Sequence, residues 1–447
     1  MINDPSLLMQ SHEYGLLTDL YQLTMAACYV GEGLDQRRAS FELFVRRLPA
    51  NFGYLIAAGL DSALDFLEKF QFTAEQLAAL KATGIFKGAP DDFWALLESG
   101  KFSGDVWAVP EGTAIFANEP FLRVEAPLWQ AQIVETYLLN AINYQTLIAT
   151  RAARLRDVAG PEATLLEFGT RRAFSPQASL WAARAALAGG LDATSNVLAA
   201  LKLGQKPVGT MAHALVMAIS ALEGSEADSF EAFHRYFPGA PLLIDTYDTV
   251  AAAKSLAQNP PPALAGVRLD SGDLVILSQQ VRQELPDIPI FASGDLDEQK
   301  ILELKQAGAC IDGYGLGTKL VTGAPVNGVY KLVDISDIPV MKEASGKVTY
   351  PGRKQIFRSA QGDRLGLATE AAPPNAEALL IPVMQDGARL TARESLETIR
   401  KRTSQSVANL PPTARDVCNP TVPQAEISAV LQQLTDCTRR GQLATVI

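Results

Sequence analysis

ATLLEFGTRR (163–172), ALAGGLDATSN (186–196), KPVGTMAH (206–213), PLLIDTYDT (241–249), AGVRLDSGD (265–273), IPIFASGD (288–295) and ACIDGYGLGT (309–318) are seven short apolar runs. Each ends in a polar cluster, and six of the seven contain glycine. Several are followed by a helix-like stretch. Short buried strands alternating with helices are the pattern of a parallel β/α barrel, where every strand's carboxyl end opens onto one shared site. Pooled there, the seven ends offer Arg171, Arg172, Asp192, Thr210, His213, Asp245, Asp248, Arg268, Asp270, Asp273, Asp295 and Thr318. A set rich in Asp and Arg, with one His, suits a phosphorylated sugar and a metal ion.

Outside these runs the pattern changes. Residues 16–30 (LLTDLYQLTMAACYV) predict a helix capped by Thr18 or Asp19, and FELFVRRLP (41–49) predicts a strand. Residues 103–125 alternate short β segments with Pro-Glu-Gly and Asn-Glu-Pro turns, which predicts a small antiparallel sheet. A long helix is expected over roughly 129–158, leading into the barrel. Beyond 335, VYKLVDI, VMKEA, GKVTYPGRKQIFR and LLIPVMQDG give strand and turn signals again, and 395–410 reads as a helix. The expected division is a helix and sheet-rich domain over 1–158 and the barrel over 159–335. A segment over 336–447 is expected to pack back on the amino-terminal domain.

Bulk properties narrow the function. The 447 residues carry a formal net charge of −10, with 48% hydrophobic and 20% charged residues. These values suit a large-cored globular protein and argue against nucleic-acid or membrane-surface binding driven by bulk charge. A local arginine cluster can still hold an anion. The four cysteines (Cys28, Cys310, Cys418, Cys437) form no C-x-x-C pair and read as reduced thiols of a cytoplasmic protein. The amino terminus lacks the basic and apolar regions of a signal peptide. No run approaches the ~18 apolar residues of a membrane span.

Individual clusters carry unequal weight. In KPVGTMAHALVMAIS, Lys206–Val208 predict a strand, Gly209-Thr210 a turn, and His213 the start of an apolar helix, where free N–H groups favour anions. An isolated histidine is more often a buried hydrogen-bonding residue, but its Gly-Thr context at a strand end favours function. Arg268 and Asp270 lie two apart on a strand and share a side. Arg268 can clamp a carboxylate or phosphate, and Asp270 and Asp273 can hold ribose hydroxyls or water around Mg2+. An internal Arg–Asp salt bridge explains the same residues equally well. Arg171 and Arg172 are either ligand contacts or solvated arginines. Asp192 serves a site or caps a helix. Gly294-Asp295 precede a helix for which Asp297 is the better cap. The glycine-rich loop of Gly317 and Thr318 can cradle a phosphate, although many such loops are only turns. Tyr21 on its helix is by periodicity a packing residue.

Taken together, LLTDLYQLTMAACY, FELFVRRLP, EFGTRRAFSP, GGLDATSNVLAALKLG, PVGTMAHALVM, VRLDSGDL, IFASGDLDE, GLGTKLVTG and VYKLV resemble the nicotinate phosphoribosyltransferase family from about residue 14 to 335. The resemblance continues more loosely through YPGRKQIFR. It implies a type II phosphoribosyltransferase fold: an irregular parallel β/α barrel plus a sheet-rich α+β domain built from both chain ends. It also implies a homodimer with shared active sites. The implied reaction joins nicotinate to 5-phosphoribosyl 1-diphosphate with ATP as co-substrate and Mg2+ as cofactor, the salvage entry to NAD.

By motif position, the resemblance makes His213 a transient phosphohistidine and counts Asp270 and Arg268 with it as catalytic. It sets Tyr21 of a neighbouring subunit and Phe168 on the two faces of the pyridine ring, and Arg268 and Thr210 at the nicotinate end. Arg171, Gly294, Asp295, Gly317 and Thr318 are expected at the phosphoribosyl phosphate, and Asp192 and Asp270 at the ring or ribose. EFGTRR departs from many relatives at Thr170, and GTK at Lys319, so pocket contacts follow less directly than the family does.

Nicotinamide phosphoribosyltransferase shares the barrel and the histidine, but the Tyr21 helix and EFGTRR favour the acid-using enzyme. A quinolinate enzyme must hold two carboxylates and needs no phosphohistidine. A barrel that only binds phosphorylated metabolites and regulates a partner is the alternative of another class, and the intact His213, Arg268, Asp270 and GLGT loop argue against it. A barrel aldolase or isomerase needs a strand lysine or a catalytic glutamate, and none stands out.

Overall fold

A computed structural model describes residues 9–344 and 347–441. The chain divides into two units. One groups the chain up to Thr146 with Pro325–Ser395 and the stretch from Thr421 onward; the other is Leu147–Ala324 with Leu396–Pro420.

The second unit holds six strands: β1 (Thr164–Glu167), β2 (Ala193–Thr194), β3 (Leu242–Leu243), β4 (Val267–Leu269), β5 (Ile290–Ala292) and β6 (Gly313–Leu316). They form one sheet in the order β2-β1-β6-β5-β4-β3, with every pairing parallel. Helices cover the strands, which is why the runs read as almost unbroken apolar stretches. Leu242, Leu243, Val267, Leu269, Ile290 and Leu316 are wholly buried. The strand-to-helix loops end on side-chain caps. Asn196, Asp248, Asp273 and Asp297 accept hydrogen bonds from the first-turn amides of the helices that follow.

One expected strand is absent. Lys206–Val208 has no regular secondary structure and joins no sheet; the Val208 amide donates to the Thr194 carbonyl of β2 at 2.9 Å. Pro207 has no N–H to give a ladder, and the stretch is exposed, so no apolar gain offsets the cost of ordering it. The sheet therefore stays open between β2 and β3, and the barrel is irregular. Three helices, Val197–Lys202, His213–Glu223 and Glu226–Tyr236, lie in the connection.

The carboxy-terminal helix Leu396–Ala408 groups with this unit rather than with the sheet domain expected to receive 336–447. Its buried Ile399, Thr403 and Val407 follow the i, i+4, i+8 spacing of one helix face. The Thr403 hydroxyl donates to the Ala188 carbonyl at 2.9 Å, and Arg415 pairs with Asp157. The unit boundaries fall at 146/147 and 324/325, inside the long helix and ahead of the tail strands, rather than at 158 and 335.

The first unit is built on a seven-stranded antiparallel sheet. Its order is Ile338–Pro339, Gly328–Ile335, Arg38–Val45, Pro120–Pro127, Asp105–Ala108, Ile381–Gln385 and Ala388–Arg389, so both chain ends contribute. Lys354 and Glu42, both almost fully buried, pair at 2.8 Å, and the Arg123 guanidinium donates to the Lys354 carbonyl. The helix Leu20–Gly31 begins after Asp19, whose carboxylate accepts from the Thr136 hydroxyl at 2.9 Å rather than capping the helix. Among the described residues no helix is long and apolar enough to cross a membrane.

Candidate active site

The carboxyl ends of β3, β4 and β5 are tied into one network around His213. His213 is the first residue of its eleven-residue helix. Its Nδ1 lies 3.1 Å from the Thr246 hydroxyl, and its Nε2 lies 3.8 Å from Asp245 Oδ1. The imidazole remains 38% exposed while the Asp245 side chain is 2% exposed, so the ring faces the opening and the carboxylate backs it. Asp245 is fixed by β4's end: its Oδ2 accepts from the Asp270 amide at 2.8 Å and the Ser271 hydroxyl at 2.7 Å. Its Oδ1 is buried and makes no hydrogen bond, which leaves it facing His213. Asp270 in turn accepts a short hydrogen bond from the Ser293 hydroxyl at the end of β5.

Arg268 lies in the middle of β4 and reaches the same end. It donates through Nη1 to the Thr210 hydroxyl at 2.6 Å, and its guanidinium lies 6.0 Å from the Phe168 ring centroid. Burial lowers its pKa, Asp270 and Asp245 oppose that shift, and Arg171 adds to it. Its Nε is buried with no acceptor among the described residues. A buried, unpaired N–H costs ~1–3 kcal/mol until an acceptor arrives. The arrangement is therefore primed for an anion beside the Phe168 ring.

Glycines bring the last two strand ends close. A side chain at Gly315 on β6 would meet the Phe168 ring at 2.7 Å, so only glycine leaves room for that ring. Gly294 after β5 has φ +100° and lies against the Asp270 carbonyl, and Asp295 next to it is also left-handed at φ +49°. Two consecutive residues in this region hold an uncommon loop shape. Gly317 and Thr318 follow β6 and open a four-residue helix, Thr318–Val321.

Asp192 stands elsewhere, and Asp273 is engaged as a helix cap. Asp192 precedes β2 and lies at the amino-terminal end of the strands. Its carboxylate accepts from the Leu165 amide at 2.8 Å and from Arg156 and Arg400. Burial opposes ionisation there, but these bonds win and hold its pKa low. Asp192 is thus a structural clasp, not a ring or ribose contact. Asp273 spends Oδ1 on the Val275 and Ile276 amides, at 3.0 and 3.1 Å, as a helix cap. Among the described residues no three His, Cys, Asp or Glu side chains gather to hold a metal ion. Tyr21 belongs to the first unit, where it is 48% exposed. Partial burial, Glu135 and Asp19 raise its pKa.

Thr246, Ser271, Ser293 and Glu226 join this network without being singled out by motif or spacing. The first three are hydroxyl residues adjacent to, or two residues from, a strand-end aspartate (Asp-Thr, Asp-Ser, Ser-Gly-Asp), and that adjacency is the signal that finds them. Glu226 begins the helix after His213's. Burial first, then the charges of Asp245 and Asp248, push its pKa up to about 7, and its Oε1 is buried without a partner. Nothing in its local sequence marks it.

Three sequence profiles match: the nicotinate phosphoribosyltransferase N-terminal domain at residues 16–143, the nicotinate phosphoribosyltransferase family at 163–343, and the nicotinate phosphoribosyltransferase C-terminal domain at 365–435. A nicotinate phosphoribosyltransferase of Mycobacterium tuberculosis, pncB2, is 41% identical over 92% of this chain and 90% of its own. That of Bacillus subtilis is 43% identical over 79% of this chain and 76% of its own. The crystal structure of human nicotinic acid phosphoribosyltransferase superposes with a TM-score of 0.81 at 31% identity, covering 94% of this chain and 99% of that one. With matches across both units at this identity and coverage, the chain belongs to the nicotinate phosphoribosyltransferase family.

Proposed function

We propose that this protein makes nicotinate mononucleotide and diphosphate from nicotinate and 5-phosphoribosyl 1-diphosphate, hydrolysing ATP to ADP and phosphate, and so feeds NAD salvage. The observation that carries the site assignment is the continuous chain from His213 through Asp245 to Asp270, with Arg268 and Phe168 at the same strand ends. The nicotinate carboxylate sits on Arg268 and Thr210, with the ring on Phe168. Tyr21 of a second subunit covers the other ring face, making the working form a homodimer; its exposure, with that of Leu17 and Leu20, supports this. A carboxylate satisfies the Arg268 Nε in a way that a neutral amide matches less well, which favours nicotinate over nicotinamide.

The donor's 5-phosphate lies among Arg171, the Gly294-Asp295 turn and the Gly317-Thr318 loop, and Asp270 holds the ribose. As the bond from ribose to diphosphate breaks, positive charge grows on the sugar and the pyridine nitrogen attacks the anomeric carbon. No activated Ser or Cys is needed; positioning and electrostatics lower the barrier. Mg2+, when bound, neutralises the diphosphate. Its ligands come chiefly from phosphate and water, as is usual for this ion, with Asp270 and Asp273 the candidate carboxylates. His213 takes the γ-phosphoryl of ATP: the bond to the ADP oxygen breaks, an N–P bond forms, and water later releases phosphate. Asp245 backs the imidazole and disfavours its turning away.

Incubation with γ-labelled ATP tests this step. Acid-labile label on the wild type and none on His213→Ala is expected, with slow ATP-independent turnover retained. Equal labelling of the variant refutes the assignment.

A further inference from the structure

We propose that Arg151 is a positioning residue that holds the Gly317–Gly323 loop in the shape that receives the donor's phosphate, an inference resting on the phosphate role of that loop given above. Arg151 lies on the helix Glu135–Ala159 and bonds none of His213, Asp245, Arg268 or Asp270. Its Nη1 instead donates to the carbonyls of both Lys319 and Thr322. These belong to the last turn of the Thr318–Val321 helix, where backbone acceptors have no partner within the helix. Gly323 closes the loop with φ +138°, and any side chain there would run into the Arg151 guanidinium. The guanidinium and the loop are thus fitted face to face.

Other ties on the loop are weaker or internal. Thr322 donates its hydroxyl to the Thr318 carbonyl within the loop, and Lys319 approaches Asp297 at 3.8 Å with both side chains partly exposed. Exposed pairs of that kind contribute ~0–1 kcal/mol. The same helix carries a second tie. Arg154, three residues along and so on the same helix face, pairs with Glu298 at 2.9 Å, and Glu298 opens the helix after β5. Burial lowers the Arg151 pKa and neighbouring Arg154 adds to the fall, while Glu298 and Asp297 at the start of the helix that follows the Gly294-Asp295 turn oppose it. One face of one helix thereby braces both loops assigned to phosphate.

Steady-state kinetics of Arg151→Gln, Arg151→Lys, Gly323→Ala and Thr318→Val test this. Arg151→Gln is expected to raise the KM for 5-phosphoribosyl 1-diphosphate by about tenfold or more, the scale of one lost charge-assisted hydrogen bond. The kcat and the KM for nicotinate are expected to stay within about threefold, and Arg151→Lys to fall between. Gly323→Ala keeps the arginine but drives it off the carbonyls and is expected to reproduce the split, which keeps the test open if Arg151→Gln does not fold. An unchanged donor KM in the Arg151 and Gly323 variants, or donor and nicotinate KM rising together with a fall in Tm, overturns the positioning role. If Thr318→Val also leaves the donor KM unchanged, the loop takes no phosphate, and the reading beneath the inference fails with it.

Discussion

Replacing Arg268 by Met tests the nicotinate site directly. Arg268 brings one satisfied bond, Nη1 to the Thr210 hydroxyl at 2.6 Å, and one unsatisfied buried donor, Nε. A carboxylate arriving there gains a charge-assisted hydrogen bond, worth ~1.5–3 kcal/mol, and relieves the unpaired donor. Losing that interaction lowers kcat/KM for nicotinate by roughly 10- to 150-fold, since each 1.36 kcal/mol is tenfold. Arg268→Lys keeps the charge but not the planar fork, and its loss is expected to be intermediate. Thr210→Val removes only the neutral partner, so about 1 kcal/mol, or roughly fivefold, is expected. The assay is initial-rate formation of mononucleotide at saturating donor, with nicotinate and nicotinamide varied separately. Arg268→Met must narrow the preference for the acid, because the amide never profited from the full charge. If kcat/KM for nicotinate is unchanged, or only the donor KM moves, the carboxylate does not sit on Arg268.

Further predictions follow from the same geometry. Asp192→Ala is expected to lower Tm, because Arg156, Arg400 and the Leu165 amide lose their acceptor, while both substrate KM values stay unchanged. Gly294→Ala forces a Cβ into a left-handed turn against the Asp270 carbonyl; a loss of ~1–3 kcal/mol is expected, read as a drop of several degrees in Tm together with weaker donor binding. Glu226 has a folded-state pKa of about 7, above its ordinary 4.5, so the native state binds the extra proton and stability falls as pH rises through that window. Glu226→Gln is accordingly expected to raise Tm relative to wild type more at pH 8 than at pH 5, and an equal difference at both refutes the strained carboxylate.

Much of the fold is legible because parallel strands buried on both faces announce themselves as short apolar runs with aspartate-rich ends. Six of the seven runs contain strands for that reason. The seventh, Lys206–Val208, looks like the others over three residues, yet Pro207 and its exposure deny it a ladder. Pairing is a property of neighbours that the local sequence does not contain. The site divides along the same line. Asp270 is marked by its position at a strand end, Arg268 by lying two residues before it on the same side, and His213 by opening a helix after Gly209-Thr210. Asp192 has the same local signature, but it precedes its strand by one residue, and that single step sends it to the opposite end of the sheet. Arg151 and Glu226 act through groups distant in sequence, so no local pattern reveals them. The division of the tail was likewise hidden: the spacing of Ile399, Thr403 and Val407 predicts a buried face but does not say which unit it covers.

The most direct measurement is turnover by the purified wild-type protein with nicotinate, 5-phosphoribosyl 1-diphosphate, Mg2+ and ATP, following mononucleotide and diphosphate together. Equimolar appearance of the two, with nicotinamide a much poorer substrate, is the predicted result. A folded protein that leaves donor and nicotinate unconsumed contradicts the assignment of the strand ends around His213 and Arg268 as a phosphoribosyl-transfer site.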